Sequence, residues 1–167
     1  MNSNDKKLIL DLALKKISEK YFLKNYSGDL YDMNKHVKDL LNNALATQDP
    51  DDVEYPMLFA SIFDLYNQDL SDILCKLLLQ DWHYKHEDIV SIMQGLKNPS
   101  TVDALYLTAF KTYKYLDYDE FFGLARKCTW ALSDINTKEA IEKLKLLAQS
   151  DNPLIKSYAE KRLVGRE

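Results

Sequence analysis

The stretch "DWHYKHED", residues 81–88, gathers two imidazoles, an indole, a phenol and three carboxylates. His83 and His86 with a carboxylate would supply the donor types of a metal site. Two histidines three positions apart in a loop, without a firm third ligand, do not specify one. The plainer reading is a polar loop in which His86 or Asp88 opens a helix and Trp82 tucks beneath it. The acid pairs Asp51/Asp52 and Asp117/Asp119 would do general acid–base work only in a pocket that shifts their pKa values, and no such pocket is signalled. His36 stands alone on a helix and reads as a partly exposed side chain. Cys75 and Cys128 lie within apolar periodic stretches and read as small buried thiols. The sequence contains no nucleophile elbow, P-loop, GxGxxG or HExxH. The expectation is a protein that is not an enzyme and uses no metal or cofactor.

These residues need elements to hold them. A chain of 167 residues is long enough to bury a core within a single domain, 1–167. Its 46% hydrophobic and 29% charged residues are those of a soluble globular protein. Four Gly and four Pro are too few turn residues for a many-stranded β fold. The net charge of −4 and the absence of clustered Lys or Arg argue against direct nucleic-acid binding, which draws its affinity from phosphate neutralisation. No run approaches the roughly 18 apolar residues of a membrane span, and the N-terminal "MNSNDKKLILDLALKK" is too polar for a secretory leader. The expected location is cytoplasmic.

Apolar spacing predicts an all-α fold of about nine helices. A first helix runs from Ser3 or Asn4 to about Leu23, and Gly28 breaks the chain before a second from about Asp29 to Thr47. Together they form an N-terminal part, 1–50. "TQDPDDVEYP" reads as an acidic loop. Seven shorter helices follow at about 56–66, 69–81, 86–97, 100–115, 119–134, 137–149 and 153–164. Their pattern repeats. A shift of 39 residues superimposes Met93 on Leu132, Leu96 on Ile135, Val102 on Ile141, Leu105 on Leu144 and Ala109 on Ala148. A shift of 31 brings Ile62, Leu65, Leu74 and Leu78 onto Met93, Leu96, Leu105 and Ala109, with Ser71 opposite Val102 as the departure. The longer second unit holds the extra "KTYKYLDYD" between Phe110 and Glu120. Helix pairs with so little apolar face bury a continuous core only by stacking. Leu105, Leu132, Ile135, Ile141 and Leu144 are the expected core.

"WALSDINTKEAIEKLKLLAQSDNPLIKSYAEKRL", from Trp130 to Leu163, carries a resemblance. Ala131, Leu132, Ile135, Glu139, Ala140, Ile141, Leu144, Asp151, Pro153 and Ile155 match the pattern of bacterial HEAT-like repeats. Ser133 and Asn136 stand where that pattern has Gly. The resemblance implies a short right-handed α-solenoid of HEAT-like helix pairs over 56–164 that binds another macromolecule. A bacterial subset resembling this architecture removes damaged bases from DNA, which would need a basic groove. The chain is also similar to acidic, Lys/Asn/Tyr-rich immunity proteins that neutralise toxins, including those of contact-dependent growth inhibition systems.

Two functions then compete: an immunity protein occluding a basic, nuclease-type protein toxin, and a general HEAT-repeat scaffold or adaptor. For the first, charge complementarity gives steering and specificity, and Tyr gives contact area at low entropy cost. The expected partner-binding residues are Asp51, Asp52 and Glu54 in the acidic stretch, and Trp82, His83, Tyr84, His86 and Glu87 in the junction. Tyr115, Asp117, Tyr118, Asp119 and Glu120 complete the set from the insertion "YKYLDYDEFF". The expected species is a monomer or a heterodimer with the toxin.

Overall fold

The computed structural model describes residues 1–116 and 118–165. Among them lie ten α-helices and no β-strand. The chain forms two compact units, residues 1–66 and 67–167.

In the first unit α1 spans Ser3–Ala13, α2 Glu19–Asn25, α3 Met33–Thr47 and α4 Asp51–Ile62. Asn2, Ser18 and Asp32 cap the first three, each accepting a backbone N–H of the first turn. The single helix expected to Leu23 is thus two, which raises the total from nine to ten. Lys15 turns left-handed at φ 56° and Ser18 restarts the helix. The reason lies in packing. In one unbroken helix Phe22 would point about 140° away from Ile9, yet both are fully buried. The break re-aims Phe22 into a ring cluster, stacked on Tyr26 at 4.8 Å and 6.1 Å from Phe59. Tyr26 in turn stacks on Phe59 at 5.4 Å. Gly28 sits beside this cluster, where a Cβ would meet His36 Nε2 at 2.4 Å. Its want of a side chain makes room for the Tyr26 hydroxyl and His36 Nε2 to meet at 2.8 Å.

The expected acidic loop is instead the start of α4. Pro50 has helical backbone angles, and Asp51, Asp52 and Glu54 occupy the first turn, where carboxylates complement the helix dipole. Pro56 lies inside this helix.

In the second unit α5 spans Ser71–Leu78, α6 His86–Leu96, α7 Val102–Thr108, α8 Gly123–Ile135, α9 Lys138–Leu147 and α10 Pro153–Leu163. Single 3-10 turns precede α5 and α7, and a third covers Lys114–Leu116. Helix α5 packs on α7 and α7 on α9, while α6 packs on α8 and α8 on α10. Neighbours α5–α6, α7–α8, α8–α9 and α9–α10 also pack. The caps keep the sequence register: Asn67, Asn98 and Thr137, spaced 31 and 39 apart, each accept a backbone N–H. Lys97 and Asn136 precede the last two in left-handed conformation. Asn98 also donates to Ser71 Oγ at 2.9 Å, which accounts for the polar residue in an otherwise apolar register.

Leu105, Leu132, Ile135 and Leu144 are buried as expected, whereas Ile141 is only half-buried. Cys128 is buried and Cys75 half-buried. Burial pushes both thiols up, Cys75 to about 11.

Two boundaries in this unit differ from the spacing. Helix α7 stops at Thr108 instead of about 115, because the chain leaves to carry Lys111 and Tyr113 elsewhere. Helix α8 starts at Gly123 instead of about 119. The Asp119 carboxylate accepts the N–H groups of Phe121 and Gly123, which forms a turn ahead of the helix. A Cβ at position 123 would sit 2.6 Å from Asp119 Oδ2.

Candidate functional site

A helix leaves its last four carbonyls without intrahelical partners. At and just past the end of α5, the four carbonyls from Leu77 to Gln80 are met by side chains from two separate stretches. Leu77 O accepts from His83 Nε2 at 2.8 Å, and Gln80 O accepts from His86 Nε2 at 2.8 Å. Both histidines come from the 81–86 junction. Leu78 O accepts from the Tyr113 hydroxyl at 3.2 Å, and Leu79 O from Lys111 Nζ at 2.6 Å. These two come from the segment after α7. Four consecutive carbonyls are thus capped by His, Tyr, Lys and His.

The acceptors fix the tautomers. A carbonyl requires a donor, so both Nε2 atoms carry hydrogen. His83 Nδ1 then accepts the Lys85 N–H at 3.1 Å, and His86 Nδ1 accepts the Tyr115 hydroxyl at 2.8 Å. All four ring nitrogens are used by neutral imidazoles. The rings also stack: His83 on His86 at 4.2 Å, and His86 on Tyr113 at 3.7 Å. Neither histidine has measurable exposure. Burial outweighs the bond to Leu77 and lowers the His83 pKa. It likewise drives His86 down to about 4, with further lowering from His83 and Lys111.

His83 and His86 were expected to touch a partner; their side chains instead lie inside the molecule, tied to α5. Every ring nitrogen of the pair has a hydrogen-bond partner. Among the described residues no group of three or more His, Cys, Asp or Glu is placed to hold a metal ion.

The remaining junction and insertion residues divide in two. Trp82 is half-buried, 5.2 Å from His83 ring to ring, with its N–H 3.3 Å from Gln80 Oε1. Glu87 is half-buried and pairs with Lys127 at 3.4 Å. Asp119 is spent on the turn before α8. The outward set is Tyr84 at 62% exposure, Tyr118 at 79%, and Glu120. Tyr115 joins the two sets: its hydroxyl binds His86, and its ring meets the edge of Tyr84 at 5.3 Å. Asp117 lies outside the described residues.

Asp51, Asp52 and Glu54 belong to the first unit. Asp52 is buried and accepts from the Met1 ammonium at 3.1 Å and from the Thr47 hydroxyl. Burial alone would raise its pKa; the ammonium, Thr47 and Lys6 together outweigh this and hold it low. Asp51 pairs with Lys6 at 3.3 Å. Asp52 is therefore a structural carboxylate, not a contact group.

Sequence reasoning missed Lys111, Gln80 and the exposed Phe121. The signal for Lys111 was present in its spacing from Tyr113, two donors at alternate positions in an extended segment, but their acceptors are backbone atoms that no side-chain pattern reveals. Two clefts flank Thr112 and Tyr113. One, of about 500 Å³, is lined by Asp81, Tyr84, Lys114 and Tyr115; the other, of about 220 Å³, by Leu116, Asp119, Glu120 and Phe122.

In comparisons with models of protein families, with curated proteins and with solved structures, nothing matches the chain. No described helix is long and apolar enough to cross a membrane.

Proposed function

We infer that the chain is an immunity-type protein that occludes a basic, nuclease-type protein toxin, and that its second unit is a right-handed solenoid of HEAT-like helix pairs. The solenoid reading is supported by the two rows of alternate helices, α5–α7–α9 and α6–α8–α10, and by the caps at 31 and 39 residues. The occlusion reading rests on one observation. Near Tyr113 and Tyr115 lie the exposed aromatics Tyr84 and Tyr118 and the exposed acids Asp81, Asp88 and Glu120. Tyr115, at the centre of the two segments, lies within electrostatic reach of Glu87, Asp88 and Tyr118. Large aromatic side chains on a rigid base are what interface anchors need, and surrounding acids steer a basic domain toward them. The 81–86 junction and the insertion thereby contribute to one surface.

The test is co-expression with the product of the adjacent gene. The expected result is a complex, loss of that product's toxicity, and a weakened complex for the Asp81→Lys, Asp88→Lys, Glu120→Lys variant at moderate salt. Equal binding by this variant and the wild type removes the proposed surface. Recovery of a housekeeping assembly, with no toxic neighbour, favours the scaffold function instead.

A further inference from the structure

Two segments far apart in sequence depend on the carboxyl end of α5. The junction holds it through His83 and His86, and the segment 111–115 holds it through Lys111 and Tyr113 and is clamped to the junction by the His86–Tyr115 bond. We propose that this cluster is an acid-operated latch, closed while both imidazoles are neutral and opened by their protonation, which frees the segment 111–115 from the end of α5.

The geometry makes protonation incompatible with the closed form. A proton on His83 Nδ1 would face the Lys85 N–H, a donor against a donor at the present 3.1 Å. A proton on His86 Nδ1 would force the Tyr115 hydroxyl to stop donating there. Two imidazolium rings would then stack at 4.2 Å, with the Lys111 ammonium on the neighbouring carbonyl as a third cation.

The other charged groups near the pair offset this charge only in part: Asp81 favours the His86 imidazolium but is outweighed by burial, His83 and Lys111. Asp81 is exposed to solvent at the start of the junction. On α6, Glu87 is committed to Lys127 and Asp88 pairs with Lys85 at 3.6 Å. The Cys128 thiol on α8 and the Tyr113 phenol are neutral groups, held so by burial. Relief comes only by letting the rings reach water, and leaving removes the surface on which Tyr113 stacks.

The size of the effect follows from His86. An ordinary value near 6.5 in the released state and about 4 in the closed one make the open form about 30-fold more populated at pH 5 than at pH 8. His83 adds in the same direction. The proposal does not depend on what the exposed surface binds.

The experiment is amide hydrogen exchange of the full chain between pH 8 and pH 5, corrected for intrinsic rates. The amides of Lys111, Leu116 and Asp119, which bond to Thr108, Tyr113 and Leu116 carbonyls, report the segment. They are expected to exchange through an opening less costly than the one that exposes α8. That opening should become at least about 30-fold more populated at pH 5. In His86→Gln, which keeps a donor for Gln80 O but does not titrate, the response should shrink to the part carried by His83. Protection at these amides that is flat from pH 8 to pH 5 in the wild-type chain overturns the latch, as does protection that falls only in step with α8. Full persistence of the pH response in a folded His83→Gln, His86→Gln variant overturns it as well.

Discussion

Replacing Tyr113 by Phe would remove one hydroxyl and leave the ring on His86 in place. The Leu78 carbonyl would then lie buried without its side-chain donor, a loss of about 1–3 kcal/mol that urea unfolding would register. Tyr84→Ala, at a position 62% exposed, should change stability by less than about 0.5 kcal/mol. This contrast separates side chains that hold the junction from those exposed around it. Residue types alone did not make the distinction. Within "DWHYKHED", Tyr84 is exposed while His83 and His86 are buried. His83 and His86 differ because their acceptors are main-chain oxygens, and backbone acceptors leave no trace in side-chain spacing.

Among the elements, apolar periodicity carried most of the information, since a stripe of Leu and Ile at helical spacing has few other uses. Leu74, Leu105 and Leu144, which share one register position, are all fully buried. Leu144→Ala should cost about 2–5 kcal/mol by leaving a cavity. Ile141→Ala should cost clearly less, because that side chain retains contact with water. Boundaries failed where local polar groups or distant packing overrode the stripe. Ser18 and Lys15 split the first helix so that Phe22 can join Tyr26 and Phe59. Asp119 delays α8, and Asp51, Asp52 and Glu54 extend α4 backward through a supposed loop. Ser18→Ala should cost about 1 kcal/mol through loss of the α2 cap, measurable as a drop in thermal midpoint.

For the whole molecule, stability must depend on pH through the buried imidazoles. Their pKa values are lowered on folding, His86 from an ordinary 6.5 to about 4. Between those values the unfolded chain holds a proton that the folded chain does not, so stability falls as pH falls from about 6.5 toward 4. The loss from His86 is on the order of 2–3 kcal/mol, with His83 acting in the same sense. Asp52, whose pKa is held low, adds a further loss only at more acid pH. Urea unfolding at pH 8, 6 and 5 would trace this decline.

The all-helical class was legible because composition and periodicity pointed the same way. The cap on α5 was not, because it joins residues about thirty positions apart through atoms common to every amino acid. Long-range ¹H–¹⁵N NMR of the imidazole rings at pH 7 tests it most directly. The account predicts that His83 and His86 are both neutral with hydrogen on Nε2, that His83 titrates below the ordinary imidazole value, and that His86 does not protonate until about pH 4. Hydrogen on Nδ1 in either ring, or an ordinary titration near pH 6.5, would contradict it.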